Sequence, residues 1–261
     1  MDIKILVATH KAYWMPEDNV YLPLHVGREG KQDLGFVGDN TGDNISLKNP
    51  NFCELTGLYW AWQNLKCDVI GLCHYRRYFS HPIINVDEEN KRKVILNKED
   101  YNRILMKYDV IVPWMHNLKT MTVKEHYCAA HHEKDLLETR AILEEKYPEY
   151  LKSFDQVMNQ KKFYLFNMFV MKKELFDSYA SWLFDILFGL ERRIDISSYD
   201  NYQQRVYGFL SERLFNVWLC KNADLRVKQV PVVFLEEETT SDNLLKKWIK
   251  YVWFSFYERF K

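Results

Sequence analysis

The stretch from Asn49 to Phe79 restricts the possible fold more than any other part of the chain. Phe52, Leu55, Leu58, Tyr59, Trp62 and Leu65 recur at three- and four-residue steps, the spacing of one face of a helix. Asn51 and Glu54 stand at the spacing of a capping box, in an Asn variant of the usual Ser or Thr form. Directly behind comes "DVIGLCHYRRYF", Asp68 to Phe79, whose apolar first half predicts a buried strand. A run of the same kind, "IKILVATH" (Ile3 to His10), opens the chain. Strand, helix and strand in succession form the βαβ rhythm, which closes with parallel pairing and a right-handed crossover. The expectation is an α/β fold with a mostly parallel central sheet flanked by helices. In such sheets ligands sit beyond the carboxyl ends of the strands. Thr9, His10 and Lys11 fall at one such end, and His74, Tyr75, Arg76 and Arg77 at another.

The segment between the first strand and Asn49 is rich in glycine and proline and lacks periodicity, so it predicts a long loop-rich passage. It closes on "GDNTGDNIS", where Asp39, Asn40, Asp43 and Asn44 have the chemistry of tight turns. Further on, "YDVIVPW" (Tyr108 to Trp114) repeats the strand signal, and residues 122 to 146 read as one long helix. "FYLFNMFVM" (Phe163 to Met171) reads as a buried strand with one polar interruption, Asn167. Helical stretches follow at about 172 to 191 and 201 to 220. "RVKQVPVVFLE" (Arg226 to Glu236) suits an edge strand, since Pro231 cannot donate to a ladder. The organisation expected is one domain over residues 1 to 240, with a helical C-terminal part, followed by an amphipathic helix over 241 to 261.

Charge narrows the function. With 36 basic and 36 acidic side chains the chain has no global field to attract nucleic acid, so any anion must be held by a local cluster. Five scattered cysteines make no metal or disulfide framework and favour a reducing compartment. No long apolar run or basic leader predicts a secreted or membrane-spanning chain. The dinucleotide, P-loop and nucleophile-elbow fingerprints are all missing. "EHYCAAHHEKDL" fails the zinc pattern H-E-x-x-H, because Leu136 stands four residues after His132.

Arg76 and Arg77 are the local cluster. A guanidinium is planar, always charged and matched to phosphate oxygens, which suggests a phosphate or diphosphate ligand; pairing with surface carboxylates is the competing reading. Alternation along a continuing strand would put His74 and Arg76 on one face and Tyr75 and Arg77 on the other.

The series "GDNTGDNIS", "NPNFCELTGLYWAWQN", "GLCHYRRYF", "HYCAAHHEKDL", "YLFNMFVM" and "YGFLSERLFNVWL" resembles, in that order and over about Lys4 to Leu235, a family of bacterial capsule and exopolysaccharide gene-cluster proteins. That family was long called a domain of unknown function and is now recognised as galactofuranosyltransferases. The resemblance implies a GT-A-like fold, a UDP-galactofuranose donor and a lipid-linked (polyprenyl-diphosphate) glycan acceptor at the cytoplasmic membrane face. Many GT-A enzymes hold a divalent metal on the diphosphate with Asp-x-Asp. This chain has no Asp-x-Asp, and His74-Tyr75-Arg76 stands at the corresponding point. The expectation is metal-independent catalysis without a cofactor, positive side chains replacing the ion's charge. Thr9, His10, Lys11, Asp39, Asn40, Asp43, Asn44, His74, Arg76 and Arg77 would then serve the donor.

Inversion at the sugar requires one carboxylate to take the acceptor's proton. Asp200 and Glu212 are the two candidates, Glu212 sharing a helix flank with Arg205, Phe209 and Asn216. His131, Asp135, Asn167 and Arg205 are expected on the acceptor side. The tail carries Trp and Tyr with Lys246, Lys247 and Lys250, a composition for a membrane interface, for docking on its own domain or for other polysaccharide-assembly enzymes. A peripheral location on the inner membrane face would follow. Transfer from UDP-galactopyranose or UDP-glucose, and a non-catalytic sugar-nucleotide binder, are the alternatives.

Overall fold

The computed structural model describes residues 1–82 and 90–236. The expected C-terminal helix over 241–261 lies outside the described residues. The chain runs β1 (Ile3–Thr9), β2 (Tyr21–His25), β3 (Val37–Gly38), α1 (Asn49–Phe52), α2 (Leu55–Asn64), β4 (Val69–His74) and β5 (Arg77–Phe79). It continues through α3 (Lys98–Leu105), β6 (Val110–Pro113), β7 (His116–Asn117), α4 (Val123–Ala130), α5 (Glu133–Lys146), α6 (Leu151–Asn159), β8 (Lys162–Phe163) and β9 (Phe169–Lys172). The last elements are α7 (Lys173–Glu191), α8 (Val206–Lys221), β10 (Val227–Val230) and β11 (Val232–Phe234).

The main sheet has the order β10-β6-β9-β4-β1-β2-β3, with β5 hung on β4 and β11 on β5. Pairing is parallel throughout this path except at β9, which is antiparallel to β4 and β6. The mostly parallel α/β sheet expected from the βαβ rhythm is therefore present. Both faces are covered, which is why β1 reads as a continuous apolar run. Leu6 and Ala8 enter a core shared with α2, α7 and α8, while Ile3, Ile5 and Val7 enter a second one with Tyr78 and Tyr101. After β1 the chain goes to β2 on one side, and after α2 it returns to β4 on the other. The crevice of the fold opens at that reversal, above the carboxyl ends of β1 and β4, where Ala8 pairs with His74.

Four local expectations are corrected. The helix from Asn49 breaks at Cys53, which takes the left-handed conformation (φ 53°), so α1 and α2 are separate. No capping box forms there: Asn51 donates to the Gln204 carbonyl and Glu54 accepts from Asn167. The long helix is two, because His131 is extended between α4 and α5. The single strand over Phe163–Met171 is split by Phe166 (φ 78°) and Asn167 (φ 53°). β10 is the expected edge strand, and past Pro231 the chain crosses to β5, the Pro231 carbonyl accepting from Ser80 N–H. Among the described residues no helix is long and apolar enough to cross a membrane.

The Gly-Asp-Asn turns form a structural knot. Asp39, fully buried, accepts from the Gly27 and Arg28 amides and from the Ser46 and Thr56 hydroxyls. It ties the loop after β2 to the start of α2. Asp39→Ala strands these donors, and urea unfolding should report a loss of about 2–4 kcal/mol, the range for breaking a buried hydrogen-bonded charge.

Candidate active site

β4 and β5 are joined by a two-residue turn, Tyr75-Arg76, with His74 opposite Arg77. The strand therefore does not continue as alternation assumed, and His74, Tyr75, Arg76 and Arg77 all line one cavity of about 790 Å³. β1 and the residues just past it add Ala8 and His10, the loop after β2 adds Val26 and Lys31, the α1–α2 junction adds Cys53 and Glu54, and α8 adds Gly208, Phe209 and Glu212. Phe166 and Arg205 complete the wall.

One side of this cavity is cationic. The Arg77 guanidinium lies against a pair of aromatic rings in edge contact with each other, 4.6 Å from the centre of Phe166 and 5.7 Å from that of Phe234. It has no carboxylate partner among the described residues. Arg76 and Lys11 both reach Glu236, each at 3.1 Å, and both lie over the Tyr75 ring. Lys31 and Arg205 approach from other loops. Their convergence registers on His10, whose pKa is lowered by burial and then by Lys11, Arg76, Lys31 and Arg205. His74 is lowered too, chiefly by burial, and as a neutral ring donates from Nε2 to the Phe166 carbonyl (2.8 Å). It is thus a structural donor and not one of the positive charges expected for the diphosphate.

The same cavity holds two carboxylates around the Tyr164–Asn167 segment, Glu54 and Glu212. That segment has no strand beside it over these residues, and α8 serves in place of one. Asn216 accepts from Tyr164 N–H (2.8 Å) and donates to its carbonyl (2.9 Å). One turn earlier Glu212 Oε1 accepts from Phe166 N–H (2.9 Å), and another turn earlier the Gly208 carbonyl accepts from Asn167 Nδ2 (3.3 Å). Gly208 lets α8 pack closely on the α1–α2 junction, since a Cβ there would stand 3.3 Å from Cys53 Sγ. Glu212 Oε2 accepts from Arg213 Nη1 (3.1 Å), whose side chain is itself buried. Burial raises the Glu212 pKa, nearby Glu54 adds to the rise, and Arg213, Phe166 N–H and Arg77 oppose it. Glu54 Oε1 accepts from Asn167 Nδ2 at 2.7 Å.

The residues named from the sequence separate accordingly. His10, His74, Arg76, Arg77, Arg205 and Glu212 come together at the cavity, with Lys11 beside it on Glu236. Thr9 is buried and closes a turn with Lys11 through its hydroxyl. Asp39, Asn40, Asp43 and Asn44 do not line the cavity: their side chains bond the surrounding loops. Asp200 is exposed and accepts from the Tyr202 and Gln203 amides, a cap on the turn before α8. Asp135 is buried and accepts from Tyr199. His131 stacks on Phe209 (4.0 Å) behind the cavity wall, and Asn167 is buried between Glu54 and Ser211. Glu54 as a cavity carboxylate, Lys31 and Arg213 escaped the sequence reading. An arginine inside the apolar face of α8 was the one visible signal for the last. Among the described residues no three His, Cys, Asp or Glu gather so as to hold a metal ion.

The family model described as "Domain of unknown function (DUF4422)" matches residues 4–223. Among solved structures, the apo structure of the bifunctional glycosyltransferase WbbM matches with a TM-score of 0.84 and 34% identity. The match covers 92% of this chain and 46% of that one, so the chain spans a little under half of its length. No curated protein matches significantly.

Two histidines behind the site are held neutral. Burial first, then Arg213, brings His126 down to about 4, and Arg213 Nη2 donates to its Nδ1. Burial brings His131 down to about 4 against the raising effect of its Gln203 hydrogen bond. In the unfolded chain both would protonate near their ordinary 6.5. The unfolded state therefore binds more protons between those values, and stability is lost as pH falls through that window. Urea midpoints should drop from pH 7 to pH 4.5, with a shallower slope in His131→Gln.

Proposed function

This chain belongs to the DUF4422 family, and we propose that it is a glycosyltransferase moving a galactofuranosyl residue from UDP-galactofuranose to a lipid-linked glycan acceptor, with inversion and without a metal. The observation that carries this reading is one cavity at the reversal point of the sheet lined by four cations, Lys31, Arg76, Arg77 and Arg205, and by two carboxylates, Glu54 and Glu212. A leaving nucleoside diphosphate needs the first set, and a hydroxyl nucleophile needs one of the second. The likeness to WbbM, a bifunctional glycosyltransferase, supports sugar transfer as the reaction class.

Arg77 is the best prepared phosphate ligand. It packs against the Phe166–Phe234 ring pair and has no carboxylate partner among the described residues, so little ordering remains to be done when an anion arrives. Burial, then Arg76, lowers its pKa, but a guanidinium starts so high that it stays charged. Arg76 and Lys11 already hold a carboxylate, Glu236, in the geometry an anionic oxygen requires. The polyprenyl-linked acceptor places the enzyme at the inner membrane surface as a peripheral protein of polysaccharide assembly, and the Trp- and Lys-bearing residues 241–261 have the composition for that contact.

Purified protein should transfer from UDP-galactofuranose, in a panel with UDP-galactopyranose and UDP-glucose, to a galactosyl-lipid acceptor, at a rate unchanged by chelator. Activity that vanishes in chelator and returns with manganese rules out the metal-free step. Binding of UDP without transfer from any donor points instead to a sugar-nucleotide binder. Arg77→Ala should raise the donor KM about 10- to 100-fold, the loss of one charged hydrogen-bonding partner, with Arg77→Lys in between. Glu236→Gln should lower the donor KM, because it removes the carboxylate that competes for Lys11 and Arg76.

A further inference from the structure

The geometry points to Glu54 as the general base of this site, with Glu212 and Asn167 as the residues that position it; the assignment rests on the transferase reading above. Three observations separate the two cavity carboxylates. Glu212 is committed at both oxygens, Oε1 to Phe166 N–H and Oε2 to Arg213 Nη1. Its work is to pin the Phe166 turn and to neutralise a buried arginine. Glu54 is committed at one oxygen only, Oε1 to Asn167, and its Oε2 accepts no hydrogen bond among the described residues. A base needs that uncommitted oxygen in the cavity.

The backbone explains why Glu54 is so placed. Cys53 turns the chain left-handed after α1, and Asn49 holds its carbonyl at 2.8 Å. Glu54 then sits at the N-cap of the ten-residue α2, facing across to α8 and not along its own helix. The orientation of Asn167 is fixed in turn, because one end of its amide meets two acceptors, Glu54 Oε1 and the Gly208 carbonyl, and only Nδ2 can donate to both.

In the step, Glu54 Oε2 takes the proton of the acceptor hydroxyl while that oxygen's electron pair forms the bond to the anomeric carbon. The bond from that carbon to the diphosphate oxygen breaks, and its pair leaves on UDP, beside Arg76 and Arg77. No redox partner is involved. The charged and titratable groups facing Glu54 are Cys53, His74, Arg77, Tyr179, Arg205 and Glu212.

The test compares Glu54→Gln, Glu212→Gln and Asn167→Gly with the unaltered protein, reading transfer rate and UDP affinity together. Gln keeps the Asn167 bond, and Gly keeps the left-handed backbone at 167. Glu54→Gln should lower kcat about 10²- to 10⁴-fold with the UDP Kd within about twofold, which also reports an intact fold. Asn167→Gly should lower kcat about 10- to 100-fold with the UDP Kd within about twofold, because the donor that aims Glu54 is gone. Glu54→Gln with a rate within about tenfold of the unaltered protein overturns the assignment, and a large loss confined to Glu212→Gln transfers the role to that residue. An unaltered protein that turns over no sugar nucleotide overturns the transferase reading itself and the base with it.

Discussion

The cleft depends on the backbone turn at Phe166 and Asn167, which stands in the left-handed region although neither residue is glycine. Each such residue costs on the order of 1 kcal/mol or more and persists only where its surroundings hold it. Here the surroundings are the site. Phe166 donates its amide to Glu212 and accepts His74 at its carbonyl, its ring backs Arg77, and Asn167 holds Glu54. The turn also delivers the chain into β9, which runs antiparallel between β4 and β6 and joins the two parallel parts of the sheet. Sheet closure and site geometry are thus set by the same short segment, Tyr164 to Asn167, clamped by Gly208, Glu212 and Asn216 at successive turns of α8.

Charge is arranged by the same convergence. The chain is neutral overall, yet arginine and lysine from separate segments converge on one cavity. No single segment is basic enough to attract a partner by itself. Glu236, just past β11, bridges Lys11 and Arg76 and so keeps like charges together without a bound anion. Behind the cavity, the nearly complete burial of Arg213 makes Glu212 its necessary counter-ion.

Much of the sheet was legible because burial on both faces leaves an unmistakable apolar run, as in β1, β4 and β6. The arginines were legible as well, since charge at the end of such a run has few structural explanations. What periodicity cannot register is a sign change in φ at a residue with a side chain. Cys53, Phe166 and Asn167 each look like continuations of a helix or strand, and each ends one. The same blindness hid Glu54, which an unbroken helix would have turned into a cap, and elevated Asp200, whose position before α8 fitted a base and a cap equally. The Asp-Asn triplets left a turn role and a donor role both open for a related reason: Asp39 has ligand chemistry, and only its four internal donors reveal that it is already satisfied.

These two kinds of error have a common physical cause. A polar residue is available to a ligand only to the extent that the fold has not already satisfied it, and satisfaction is a tertiary property. Asp39 and Glu212 have both oxygens met by the protein's own donors, and Asp135 and Asp200 are held by Tyr199 and by two backbone amides. Arg77 and one oxygen of Glu54 have no such partner among the described residues. Those two groups line the same cavity from β5 and from the start of α2, elements locked by sheet pairing and by the Cys53 turn. Rigid placement of two unmet groups of opposite charge is what distinguishes this cleft from the many satisfied ion pairs on the rest of the surface.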